Sequence, residues 1–143
     1  MTSAPGINVL IVDDSRPDRY LLRRDLSRTS LEVSVQESAD GQEALDFLVE
    51  HTRNKSKLQH EFPPDLIFLD VNMPRVDGFT FLERFSALRR EQEELRTCVI
   101  MMFSSSEHPA DRERALAYDF VKGYVIKGTT STQELDEQIK AAL

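Results

Sequence analysis

Two short apolar segments that end in aspartate constrain the fold of this chain more than any other feature. Ile7 to Val12 runs directly into Asp13 and Asp14, and the run from Asp65 to Asp70 is apolar between its two aspartates. Such short, continuous apolar runs are typical of β-strands that are covered on both faces. If the two strands are parallel neighbours, their carboxyl ends lie at the same sheet edge, where open α/β sheets bind ligands. The sequence therefore predicts that Asp13, Asp14 and Asp70 meet at one edge.

Three carboxylates that lie close together repel one another and raise each other's pKa values, so the predicted cluster requires a cation. Magnesium, a hard divalent ion that prefers oxygen ligands, fits this requirement. Carboxylates with Mg²⁺ at the end of a parallel sheet are typical of phosphoryl transfer, which depends on positioning and charge neutralisation.

Length and composition indicate one globular domain. The chain has 143 residues, and its apolar content of 40% and charged content of 30% are ordinary for a folded protein. We expect no membrane insertion, because no apolar stretch approaches the roughly 18 to 20 residues needed to cross a bilayer. Residues 1–6 lack the basic and apolar regions of a secretory signal, so we expect a cytoplasmic protein in which this tail precedes a domain of residues 7–143.

Charge and cysteine content narrow the possible partners and chemistry. The formal net charge of −7 argues against nucleic-acid binding, which needs a concentrated basic face. Cys98 is the single cysteine, so no disulfide can form within the chain, and its place in an apolar run predicts a buried core thiol.

Strand and helix patterns alternate along the whole sequence. The second strand alternates polar and apolar residues with period two, which indicates an edge strand with one face in water. Serine or aspartate precedes several of the helices as a predicted N-cap. Strands are predicted at 7–12, 31–36, 65–70, 97–103 and 123–126, and helices from the N-cap Ser15 to about Arg28, after Asp40, around Phe79 to Leu88, at Pro109 to about Tyr118, and after Ser131.

Five strand-helix pairs predict an α/β fold, a doubly wound five-stranded parallel sheet with helices on both faces and right-handed crossovers. We expect the flavodoxin-like strand order 2-1-3-4-5. The first and third strands are neighbours in that order, which is the contact that the three carboxylates require.

The polar residues at the predicted strand ends carry a family resemblance. Asp13-Asp14, Asp70, Ser104 and Lys127, together with Asn72-Met73-Pro74 and Asp77-Gly78, resemble the receiver domain of two-component response regulators over about residues 7 to 143. Because little sequence lies outside that range, we expect a stand-alone, single-domain member without an output domain.

The resemblance implies a chemical role for each of these residues. Asp70 would accept a phosphoryl group from a histidine kinase or a phosphotransfer protein of a phosphorelay, and Lys127 would supply positive charge. Asp14 would be a direct magnesium ligand and Asp13 a ligand through water, and the site would also include Asp70 and the backbone carbonyl of Asn72.

The same resemblance implies a conformational switch. The Ser104 hydroxyl would bind a phosphoryl oxygen, and Tyr124 would turn inward when that hydroxyl moves. The face of the fourth helix, fifth strand and fifth helix, roughly Pro109 to Leu143, would then bind a downstream protein target. The chain would thus be a phosphoprotein of signal transduction that slowly dephosphorylates itself, rather than a metabolic enzyme.

Two alternatives remain at this point. One is a receiver-like docking module that works independently of phosphorylation; the other is a haloacid-dehalogenase-type phosphatase, which would need an Asp-x-Asp on the first strand instead of adjacent aspartates. Gly128 keeps the first alternative open, because the resembled family usually has a cis proline there. A cis bond before glycine costs about 3 kcal/mol, so we predict a trans peptide with Lys127 still directed at Asp70.

Overall fold

A computed structural model describes residues 6–53 and 63–143, and these form a five-stranded parallel sheet in the order β2-β1-β3-β4-β5. The predicted fold class and strand order are therefore confirmed. Residues 1–5 of the predicted tail lie outside the described part. The strands are β1 Ile7–Val12, β2 Val33–Ser38, β3 Leu66–Leu69, β4 Val99–Ser104 and β5 Val121–Ile126; the helices are α1 Arg16–Ser27, α2 Gly41–Arg53, α3 Gly78–Glu91, α4 Pro109–Leu116 and α5 Thr132–Ala142, with a 3-10 helix at Glu93–Thr97.

The predicted N-caps start their helices in the structure. Oxygens of Ser15, Asp40 and Ser131 each accept a hydrogen bond from the backbone N–H three residues later, at 3.3, 2.8 and 3.1 Å. These bonds satisfy amide groups that have no partner inside the helix. The helices consequently begin directly behind the loops that follow the strands.

The sheet is covered by helices on both faces, which divides the core in two. Alternate residues of β1 show the division: Leu10 and Val12 pack with α2, α3 and α4, whereas Val9 and Ile11 pack with α1 and α5. Burial on both faces explains the continuous apolar runs of the central strands. No helix of the described ranges, 6–53 and 63–143, is long and apolar enough to span a membrane.

Several predicted boundaries differ from the structure. Thr97 ends the 3-10 helix instead of starting β4, because the Cys98 N–H bonds to the Leu95 carbonyl 3.2 Å away and closes a local turn. β2 lies two residues later than predicted, since Val33 is the residue that pairs with the start of β1. β5 begins earlier, at Val121, and α4 ends earlier, at Leu116. The edge position of β2 and the burial of Cys98 are confirmed.

Candidate functional site

The register of the sheet brings the ends of β1, β3, β4 and β5 to one edge. Val12 pairs with Leu69, and the Asp70 N–H donates to the Val12 carbonyl at 3.0 Å. In the next strands of the sheet, β4 and β5, the Lys127 N–H donates to the carbonyl of Ser104 at 2.9 Å. The backbone thus fixes the starting point of each polar side chain.

The three aspartates at this edge form one cluster. Asp13, Asp14 and Asp70 each present a carboxylate oxygen within 4.8 Å of the others. Asp13 and Asp70 are buried, whereas Asp14 is exposed. The buried Oδ2 of Asp13 lies 2.7 Å from the Lys127 ammonium, so a single positive charge faces three carboxylates. An anionic cluster with this excess of oxygen donors fits a hydrated Mg²⁺ ion, which takes oxygen ligands and keeps several of its waters.

Burial changes the acidity of the two inner carboxyls. Burial, together with the charge of Asp13, raises the pKa of Asp70 to about 6. Burial also raises the pKa of Asp13, against the opposing effect of Lys127. Burial and the neighbouring negative charge of Asp13 therefore make Asp70 easier to protonate than a carboxyl in water, and a bound cation would oppose this effect.

Lys127 is the cation of the cluster. Its Nζ lies 2.7 Å from Asp13 Oδ2, 2.9 Å from Asp18 Oδ2 and 3.6 Å from Asp70 Oδ2. Burial acts to lower the pKa of Lys127, but the contacts with Asp13 and Asp18 outweigh it and the pKa is raised. Lys127 is thus charged and points into the site, but its shortest contacts are to Asp13 and Asp18 rather than to Asp70.

Ser104 and Tyr124 are connected through a third residue. The buried Ser104 Oγ accepts a hydrogen bond from the Ser106 N–H at 3.0 Å, and the Tyr124 hydroxyl donates to the Ser106 carbonyl at 3.0 Å. Tyr124 pairs with Met102 in the sheet and points inward. Ser106 was one of a row of serines in the sequence, and nothing there distinguished it.

The loop between β3 and α3 is held close behind Asp70. The Asn72 N–H hydrogen bonds to the Asp70 carboxylate. A side chain at Gly78 would meet the Asp70 carbonyl oxygen and lie 2.9 Å from the Val71 Cα, so glycine is required there for packing. Arg75 adopts a positive φ of 61° and forms an ion pair of 2.9 Å with Asp40, which connects the loop to α2.

Two residues of α1 join the site without having been predicted. Asp18 contacts Lys127, and Arg19 donates to the Asp13 carbonyl at 2.6 Å and to Glu37 at 2.8 Å. An aspartate in the first turn of a helix is common because it interacts favourably with the helix dipole, so its position alone does not indicate a contact with Lys127. The segment from Arg16 to Arg28 contains five arginines, and nothing in the sequence distinguishes Arg19 from the other four.

Comparison with known proteins identifies the family. The model of the response regulator receiver domain matches residues 9–140. The chain therefore belongs to the receiver domain family of two-component signalling.

Relatives and solved structures agree with this assignment. A protein-glutamate methylesterase/protein-glutamine glutaminase of Shewanella sp. strain MR-7 is 37% identical over 105 residues, which are 73% of this chain and 25% of that protein. The chain thus spans about a quarter of the curated relatives it matches. A two-component response regulator from Cytophaga hutchinsonii has a TM-score of 0.79 and 25% identity, covering 96% of this chain and 97% of that one. The chemotaxis response regulator CheY4 of Vibrio cholerae has a TM-score of 0.68 and 28% identity, covering 96% and 99%.

Proposed function

We propose that this receiver domain accepts a phosphoryl group on Asp70, with Mg²⁺, from a histidine kinase or phosphotransfer protein in the cytoplasm. The observation that carries the proposal is the cluster of Asp13, Asp14 and Asp70 beside Lys127 at one sheet edge. In our proposal the domain is residues 7–143, and the target is a protein and not a nucleic acid.

Each side chain has a distinct part in the transfer. Deprotonated Asp70 forms a P–O bond as the P–N bond to the donor histidine breaks. Asp14, Asp70 and the Asn72 carbonyl would hold Mg²⁺, with Asp13 bound to it through water. The ion would supply positive charge that neutralises the phosphoryl oxygens. Lys127 would balance the remaining negative charge. These roles use electrostatic positioning, which is the main requirement of phosphoryl transfer.

Labelling with a small phosphodonor tests this function directly. Incubation with acetyl phosphate and Mg²⁺ should add one base-labile acyl phosphate, and peptide mapping should place it on Asp70. We expect Asp70→Ala to abolish the label and Asp119→Ala, at a side chain that is 92% exposed, to retain it. Undiminished labelling of Asp70→Ala would reject Asp70 as the acceptor.

We further propose that phosphorylation of Asp70 changes the conformation of the face formed by α4, β5 and α5, and that Ser104 and Tyr124 transmit this change. If the Ser104 hydroxyl turned to donate to a phosphoryl oxygen, its hydrogen bond from the Ser106 N–H would be disturbed. The Tyr124 hydroxyl donates to the carbonyl of the same Ser106, so the change would reach Tyr124. Moving a population from 1:99 to 99:1 requires about 5.5 kcal/mol of differential interaction, to which the Ser104 bond and the Lys127 contact would both contribute.

Beryllofluoride, a phosphoryl mimic, makes the switch measurable by amide NMR. Signals from Ser104 through about Tyr124 should shift in the wild type and shift less in Ser104→Ala, because that variant lacks the hydroxyl. Ser27→Ala, at an exposed site on α1, should respond like the wild type. Equal shifts in Ser104→Ala and the wild type would reject Ser104 as the trigger.

One observation favours the second candidate, a docking module that works without phosphorylation. Tyr124 is already buried and bonded to Ser106 in the structure, so the inward position needs no phosphoryl group. This candidate predicts no surface change on adding beryllofluoride. The phosphatase alternative has no comparable support, since Asp13 and Asp14 are adjacent and the chain belongs to the receiver family.

A further inference from the structure

Asp18 gives Lys127 a second place to bind, outside the reacting centre. The ammonium lies 2.7 Å from Asp13 Oδ2 inside the cluster and 2.9 Å from Asp18 Oδ2 outside it, both within hydrogen-bond distance, but 3.6 Å from Asp70 Oδ2. We propose that Asp18 is a positioning residue that anchors Lys127 at rest and competes with the phosphoryl group of Asp70 for its charge. This inference rests on the proposed function and goes beyond it, because it identifies a residue that weakens phosphoryl retention.

The anchor is built into a fixed element. Asp18 occupies the first turn of α1, where its N–H donates to the capping Ser15 Oγ at 3.3 Å. Its side chain is 35% exposed, whereas that of Lys127 is only 14% exposed. Lys127 therefore reaches from its own loop to a preformed acceptor on the neighbouring helix.

The residue after Lys127 has open space around it. Gly128 follows it with a φ of +81°, and a side chain at this position would meet nothing within 4 Å. The Lys127 N–H donates to the Ser104 carbonyl, so the backbone is held in place and a change of partner for the ammonium involves only the side chain. Such a side chain can move from Asp18 toward Asp70 by rotation alone.

Two electrostatic effects of Asp18 act in the same direction. Its charge competes for the ammonium, and it also repels the negative charge that a phosphoryl group brings to Asp70. Removing that charge should therefore strengthen the binding of a phosphoryl mimic. Because Asp18 is partly exposed and screened, we expect an effect of about three- to tenfold.

The test compares two dissociation constants by amide NMR titration of the full chain: beryllofluoride at saturating Mg²⁺, and Mg²⁺ alone. Asp18→Asn should bind beryllofluoride about three- to tenfold more tightly and Mg²⁺ no more tightly than the wild type. A merely structural defect would weaken both. Asp18→Glu, which keeps the negative charge, should have a beryllofluoride dissociation constant close to that of the wild type. Asp25→Asn, which removes a charge from the same helix, should match the wild type in both dissociation constants.

The outcomes separate this inference from the proposed function. Equal or weaker beryllofluoride binding by Asp18→Asn, with normal binding by the wild type, overturns the anchor alone. Tighter binding by Asp25→Asn as well overturns it too, because any lost negative charge would then suffice. A wild type that does not bind beryllofluoride at Asp70 overturns the proposed function.

Discussion

Replacing Asp70 with Asn should stabilise the Mg²⁺-free protein at pH 7 by about 3 kcal/mol, measured as the free energy of unfolding in urea. The physical reason is the cost of keeping this carboxylate charged in the folded state. Its pKa is raised from 3.8 to about 6 by burial and by the charge of Asp13. Asparagine has nearly the same shape and no charge, and its side-chain oxygen can still accept the Asn72 N–H.

The gain should depend on pH in a defined direction. Between about pH 4 and 6 the folded protein holds the Asp70 proton more firmly than the unfolded chain, so wild-type stability falls as the pH rises through this window. Below about pH 4, where both states are protonated, the wild type and Asp70→Asn should differ little. The difference should be fully developed above about pH 6.5.

Magnesium provides a second test of the same explanation. Saturating Mg²⁺ should stabilise the wild type more than Asp70→Asn and so reduce their difference, because the cation compensates the buried charge. Asp119→Asn, at the exposed end of an ion pair of 3.9 Å, should match the wild type at every pH. An Asp70→Asn protein that is less stable than the wild type at pH 7 without Mg²⁺ would contradict the electrostatic explanation.

The sequence predicted those parts of this molecule that depend on periodicity and on strand ends. Continuous apolar runs marked the strands beneath Asp13 and Asp70, and parallel pairing then placed both carboxyls at one edge. Capping residues such as Ser15 marked the helix starts equally well, since their role is local. Fold and carboxylate cluster follow from these two kinds of signal.

The remaining features depend on contacts that periodicity does not carry. Lys127 and Asp18 are separated by 109 positions, and whether they touch depends on side-chain rotamers and on the α1 position. The predicted start of β4 was wrong because Thr97 directly precedes the apolar run in the sequence. In the structure it belongs to a turn that is closed by backbone hydrogen bonds, which leave no side-chain signal. Ser106 is part of the Tyr124 network through its backbone, which no side-chain motif reveals.

Asp14 should be the residue whose loss most weakens Mg²⁺ binding. It is the exposed carboxylate of the cluster, whereas Asp13 already accepts the Ser15 N–H at 2.9 Å and contacts Lys127. A cation entering from solvent therefore meets Asp14 first. We expect Asp14→Asn to raise the Mg²⁺ dissociation constant about 10- to 100-fold, which corresponds to about 1.4 to 2.8 kcal/mol.

Isothermal titration calorimetry or amide NMR at constant ionic strength measures this change. Because Asp14 is exposed, the metal-free variant should melt at or above the wild-type temperature, since removing one of three clustered charges relieves repulsion. Asp25→Asn on α1 is the control for a lost surface carboxylate and should bind Mg²⁺ as the wild type does. Unchanged Mg²⁺ affinity in Asp14→Asn would mean that Asp13 and Asp70 hold the metal without it, and the ligand assignment would then have to be revised.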